Sequence, residues 1–144
     1  MRTRIITEAT EQTHVLALES GDDVLKSLSD YAAGQGLNAA RFTGLGAFER
    51  VVLGYFDWQR KDYDRIRIED QVEVVSLIGD IAVDQDGKPS LHPHVVVSRR
   101  DGSAWGGHLL EATVRPILEV VIVESPACLQ RFPDRETGLA LLRP

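Results

Sequence analysis

Leu91-His92-Pro93-His94-Val95-Val96-Val97-Ser98-Arg99-Arg100-Asp101-Gly102-Ser103, continued by Ala104-Trp105-Gly106-Gly107-His108, reads as a strand, a tight turn and a second strand. The apolar run before the turn and the Asp-Gly pair within it carry that reading. Three of the four histidines of the chain lie here. Side chains on a strand alternate between faces, so His92 and His94 point the same way. Where His108 points depends on the loop. A two-residue loop, Asp101-Gly102, pairs Arg100 with Ser103 and turns His108 away from His94. A three-residue loop, Arg100-Asp101-Gly102, pairs Arg99 with Ser103 and sets His108 opposite His94 on one face. The longer loop is preferred, because its last residue takes a left-handed conformation that suits Gly102. Opposed Cβ atoms lie roughly 4.5–5.5 Å apart, a span that metal–imidazole bonds of about 2.0–2.1 Å can bridge.

A single histidine is ordinarily a surface residue or a hydrogen-bonded core residue, and His-x-His with a later His is a moderately specific pattern. Its surroundings add to it. Gly106 and Gly107 weaken a strand unless a bulge or a close approach requires them. Pro93 cannot donate to a ladder, so its strand is bulged or lies at an edge there. Both are places where sites are built. His92, His94 and His108 are therefore the candidate metal ligands.

Length and charge set the outer bounds. At 144 residues the chain fits one domain, 1–144, with a core of its own. The net charge of −6 argues against direct binding to the DNA backbone, which requires a basic face. The single cysteine, Cys128, excludes an intrachain disulfide and suits a reducing interior. No apolar run reaches membrane-spanning length, and the first residues lack the apolar centre of a secretory leader. The expectation is a soluble cytoplasmic protein.

Along the chain, residues 1–19 suggest one or two short strands, with His14 exposed or at a strand end. Ser20-Gly21-Asp22-Asp23 resembles a helix start of the capping-box type. Val24, Leu25, Leu28, Tyr31 and Ala32 then repeat at helical spacing, and Gly34 and Gly36 supply a stop. Nearly everything beyond residue 38 reads as strand: 39–48, 51–56, 63–69, 72–83, the double-histidine segment, 103–110 and 113–124. Gly44 and Gly46 are not a phosphate loop, since no further spaced glycine or helix start follows; they mark a bend or close packing. The strand at 72–83, the double-histidine strand and the strand at 103–110 should form an antiparallel meander. Pro116 marks a bulge or a break. The tail, 126–144, reads as irregular, with a short helix near 135–142. The fold class is α+β: a mainly antiparallel twisted sheet with one main helix packed on it.

Five stretches then resemble a known family: Leu18-Glu19-Ser20-Gly21-Asp22-Asp23-Val24, Phe42-Thr43-Gly44-Leu45-Gly46-Ala47, Glu73-Val74-Val75-Ser76-Leu77-Ile78-Gly79-Asp80, Leu91-His92-Pro93-His94-Val95 and Gly106-Gly107-His108-Leu109-Leu110-Glu111. In that order, over about residues 14–125, they look like the plants-and-prokaryotes conserved (PPC) domain, also called the domain of unknown function 296. The resemblance implies a homotrimer and a fold shared with acetolactate decarboxylase, whose zinc is held by three histidines. Carried over residue by residue, the zinc ligands here would be His92, His94 and His108. In plant relatives the domain follows an AT-hook, a short basic segment; no such segment stands in this sequence. Prokaryotic relatives are single domains commonly labelled DNA-binding by association. Pro93 stands where a smaller residue such as Ala is common, and Asp80 where Asn is common.

Two functional readings follow. In the first, three protein ligands and an open fourth position make a metal-dependent enzyme or small-molecule binder, with zinc activating water or polarising a carbonyl, as in lyase-type chemistry. Candidate supporting or substrate-binding residues are Glu73, Ser76, Asp80, Glu111 and Arg115, each of which can instead serve in an ordinary ion pair. In the second, the protein is a regulatory or DNA-associated module without catalysis. Its one local basic cluster, Arg60, Lys61, Arg65 and Arg67, is interleaved with Asp57, Asp62 and Asp64.

Overall fold

Asp23 begins the helix, α1 (Val24–Gln35), in the computed structural model, which describes residues 2–8, 11–126 and 128–143. The Asp23 carboxylate accepts a hydrogen bond from Lys26 N at 2.9 Å, so the cap is Asp23 and not Ser20. Ser20 Oγ instead donates to Pro116 O at 3.1 Å. Gly36 ends the helix in the left-handed conformation (φ 67°), with its neighbour Leu37 N bonded back to Ala32 O at 2.9 Å; Gly34 stays inside the helix. Val24, Leu28, Tyr31 and Ala32 form the buried face.

The strands are β1 (Arg2–Glu8), β2 (Gln12–Glu19), β3 (Ala40–Asp57), β4 (Asp62–Ile68), β5 (Val72–Val83), β6 (Pro89–Ser98), β7 (Ala104–Glu124), β8 (Gln130–Pro133) and β9 (Ala140–Arg143). They form one nine-stranded sheet, antiparallel apart from the pairing of β5 with β8. The expected meander β5–β6–β7 is present. β3 pairs with both β5 and β7, so β3, β5, β6 and β7 make a closed circuit of pairings. The other side of β7 carries β2 and then β1.

Two expected strand pairs are each a single long strand. Segments 39–48 and 51–56 join in β3, and 103–110 and 113–124 join in β7. The breaks suggested by Glu49-Arg50 and by Pro116 are absorbed as register shifts between β3 and β7 around Phe48. A bulge keeps a strand going while it bends. Close packing explains the nearby glycine: a Cβ on Gly46 would lie 2.2 Å from Ile117 O.

The tail departs further from expectation. It is a β-hairpin, β8–β9, and no helix forms at 135–142. Asp134 accepts from Thr137 N and Thr137 Oγ1 at 2.8 and 2.9 Å, and Gly138 (φ 76°) turns the chain back. A short polar residue bonding its own loop favours a turn over a helix. The hairpin docks where Val83 N donates to Leu129 O at 2.8 Å.

Leu16, Leu18, Leu28, Phe42, Phe48, Leu53, Leu77, Ile81, Leu109, Leu118 and Ile122 fill the core. Each contributes about 1.5–3 kcal/mol by leaving water. On β5 and β6 the buried positions Leu77, Val95 and Val97 alternate with outward ones. That alternation puts the histidines on the outer face.

Candidate metal centre

The loop between β6 and β7 is the three-residue one. Arg99 N donates to Ser103 O and Gly102 N to Arg99 O, both at 2.9 Å, and Gly102 takes φ 81°. His94 is consequently paired with His108. Pro93 pairs with Gly79 of β5, while the β7 ladder begins only at His94, so the missing donor falls where β6 has one neighbour.

One potential ligand nitrogen from each of His92, His94 and His108 lies within 4.8 Å of the others. His92 Nε2 and His94 Nε2 are 3.2 Å apart. Two imidazoles on one tetrahedral zinc, with Zn–N bonds of about 2.0–2.1 Å, place their nitrogens roughly 3.3 Å apart. The ring centroids stand 5.1–5.3 Å from one another. His92 and His94 are exposed and His108 is half-buried, so the cluster opens outward on one side.

Close packing positions His108. It pairs with Gly54 of β3, and Tyr63 of β4 stacks on its ring at 5.0 Å. A Cβ on Gly54 would lie 2.7 Å from Tyr63 Cδ1, and one on Gly107 would lie 2.7 Å from Gly54 O. Both glycines are thus required for the approach, as the Gly106-Gly107 pair suggested. Phe56 continues the aromatic wall, 5.3 Å from Tyr63 and 5.6 Å from Trp58.

Burial, reinforced by the His92 and His94 imidazoles, pushes the His108 pKa down to about 4. His92 is lowered too, by burial first and then by His94, with Asp80 opposing. Both rings are therefore neutral at pH 7 and have a lone pair to offer. His108 Nδ1 is buried with no hydrogen-bond partner. An orphaned buried nitrogen costs about 1–3 kcal/mol. These features fit a divalent cation: three converging imidazoles, an unsatisfied nitrogen among them and an accessible side.

Of the five candidate supporting residues, Asp80 alone is brought to the cluster. It pairs with His92 across β5 and β6, and its Oδ2 lies 3.8 Å from His92 Nδ1. Ser76 faces Val96, one step along the same face from His94. Glu73 pairs with Ser98 and Ala47, away from the histidines. Glu111 is engaged by Arg65, and Arg115 lies 3.5 Å from Glu49.

Sequence reasoning missed Arg131 and Tyr63. Arg131, on β8, is buried and donates to Asp80 Oδ1 and, at 2.5 Å, to Ser90 O. The signal was an acid at 80 inside an otherwise apolar segment, Ile81-Ala82-Val83, which calls for a cation. His14 is corrected as well. It is buried in mid-strand on β2, with Nδ1 2.8 Å from Tyr31 Oη. Its i, i+2, i+4 relation to Leu16 and Leu18 was the sign that it faces inward.

The chain resembles several known proteins. It is 28% identical over 130 residues to the bifunctional protein GlmU of a Synechococcus strain, a match covering 88% of this chain and 20% of the relative. The chain thus spans about a fifth of the length of the curated relatives it matches. A plant- and prokaryote-conserved protein from Pyrococcus horikoshii superposes with a TM-score of 0.85 at 29% identity, covering 92% of this chain and 91% of that one. A protein from Ralstonia eutropha with a provisional DNA-binding name gives 0.84 at 33%, covering 90% of each chain. A metal-containing protein from Archaeoglobus fulgidus gives 0.84 at 29%, covering 99% and 97%. Acetolactate decarboxylase from Bacillus subtilis shares the fold alone, with a TM-score of 0.58 at 12% identity over 88% of this chain and 58% of that one. Residues 6–126 match the model of the Plants and Prokaryotes Conserved (PCC) domain, and the chain belongs to that family.

Proposed function

We propose that the protein is a zinc-dependent small-molecule binder, assembled as a homotrimer, with His92, His94 and His108 as the metal ligands. The observation that carries this reading is the convergence of three imidazole nitrogens within 4.8 Å at an accessible face, one ring holding an orphaned buried nitrogen. The name of the Archaeoglobus fulgidus relative, a metal-containing protein, agrees with it. Three nitrogen ligands suit zinc and leave a fourth position for an oxygen donor, where zinc would polarise a carbonyl or lower the pKa of water. Tyr63 fixes the His108 ring by stacking, and Asp80 faces the far nitrogen of His92. A hydroxy-keto acid is the substrate class that the acetolactate decarboxylase fold suggests, on analogy of fold alone.

The test is elemental analysis of protein purified without a metal-affinity tag, beside His92→Ala and His108→Ala. Near-stoichiometric metal in the wild type and its loss in both variants is the expected result. Wild-type protein that holds less than roughly a tenth of an equivalent and takes up no added zinc overturns the reading.

The threefold assembly rests on the outer sheet face. Leu45, Val75, Ile78 and Val121 stand exposed together there, Leu45 by 61%. An apolar patch of this kind marks an interaction surface, and a second copy of the chain is the proposed occupant. Light scattering should give three times the protomer mass of 15.9 kDa.

A DNA-associated role is the competing reading, favoured by the name of the Ralstonia eutropha relative. In this chain Arg60 is paired with Asp57 and Asp64, and Arg65 with Glu111, so two of the four cations of the basic cluster are already engaged by acids. Salt-dependent retention of duplex DNA at physiological ionic strength would establish that role; none is expected.

A further inference from the structure

We infer that the C-terminal hairpin β8–β9 is a working part of the metal centre, with Arg131 as a positioning residue acting through Asp80 on His92. The inference rests on the zinc reading above.

Arg131 is 4% exposed, which is unusual for an arginine and implies fixed partners. Its guanidinium bridges two strands, donating to Asp80 Oδ1 on β5 and to Ser90 O on β6. That fork leaves Asp80 Oδ2 on the side of His92 Nδ1, 3.8 Å away. A carboxylate beside Nδ1 favours the tautomer with the proton on that nitrogen. Nε2 is then left with the lone pair, and Nε2 is the atom 3.2 Å from His94 Nε2. A ligating histidine held through its other nitrogen by a carboxylate is a recurrent device that fixes both tautomer and ring orientation. Here the carboxylate is itself held by a buried guanidinium, supplied by a segment distant in the chain from all three histidines. Asp80 without Arg131 would be free to turn towards water, and His92 would lose its preferred tautomer.

The experiment compares wild type, Arg131→Met, Asp80→Asn and the double variant. Removing the acid from a buried guanidinium can unfold a protein, whereas removing both partners is far milder. The double variant therefore keeps the test usable if a single variant does not fold. Two measurements are made. The first is the 15N resonances of the His92 ring in metal-free protein. The second is zinc affinity by competition with a chelator. The expected result is a protonated Nδ1 on His92 in the wild type, a tautomer mixture in the folded variants, and zinc affinity reduced about 10- to 100-fold. A double variant with the wild-type tautomer and wild-type zinc affinity overturns the inference and leaves the zinc reading intact. A wild type that binds no zinc overturns the zinc reading, and the inference about the metal falls with it. The ring resonances would still show whether Arg131 and Asp80 orient His92.

Discussion

Two histidine environments in this protein each leave one buried ring nitrogen without a hydrogen bond, and they differ in what surrounds it. His14 is buried between β2 and α1; its Nδ1 is paired with Tyr31 Oη at 2.8 Å, edge-on to that ring, and its Nε2 makes no hydrogen bond but lies 3.9 Å from Glu124 Oε2. The cluster on β6 and β7 has three imidazoles side by side, and the buried Nδ1 of His108 has no partner. The first environment ties a helix to a sheet. The second gathers three imidazoles at one accessible place on the sheet. An orphaned nitrogen alone does not separate the two; the convergence of three rings within 4.8 Å at an accessible face does.

The largest expected effect comes from the cluster. His108→Ala should weaken zinc binding by more than about 100-fold, beyond what supporting residues cost, and leave the protein folded. Isothermal titration and circular dichroism check the two halves of that statement. Loss of the fold in this variant would erase the contrast with His14.

Next comes His14→Ala. It removes a buried ring and strands the Tyr31 hydroxyl, so stability should drop by about 1–3 kcal/mol with zinc stoichiometry unchanged. Urea unfolding measures the first, and elemental analysis the second.

Tyr63→Leu removes the ring stacked on His108. Aromatic pairs contribute about 0.5–1.5 kcal/mol beyond area, so zinc affinity should fall about 2- to 12-fold in a chelator competition.

A pH response concerns the metal-free protein alone. Folded His108 titrates at about 4 and an unperturbed imidazole near 6.5. As pH falls, the unfolded chain takes up the proton first. Metal-free protein should therefore keep its full stability above about 6.5 and lose it progressively towards 4. Zinc, bound to the folded state alone, should offset the loss. Thermal melts at pH 7 and 5, with and without a chelator, measure both. A melting temperature unchanged over that range would mean that His108 is already partnered.

Much of the site was legible in the sequence because it is local. Loop length fixes register, and register fixes which imidazoles meet. One glycine in the right place, Gly102, decided between two loops. Arg131 was not legible, because its partner Asp80 lies fifty-one positions away and the docking of β8 depends on a short parallel pairing at Val83. The lengths of β3 and β7 were missed for another reason. Glu49-Arg50 and Pro116 look like interruptions, and bulges on facing strands accommodate them together. His14 read alone suits a strand end; its alignment with Leu16 and Leu18 on one face of β2 is what buries it.

The closed circuit of β3, β5, β6 and β7 has a consequence for sequence change. His94 is located twice, by Ile78 on one side and His108 on the other, and His108 is located again by Gly54. Adding a residue to the Arg100-Asp101-Gly102 loop cannot slide one strand past the next without breaking every other pairing in the ring. The extra residue should be expelled into solvent, and the imidazoles should stay where they are. The tip of that loop is thus a point at which the protein can lengthen, or accept a graft, without disturbing its candidate metal centre.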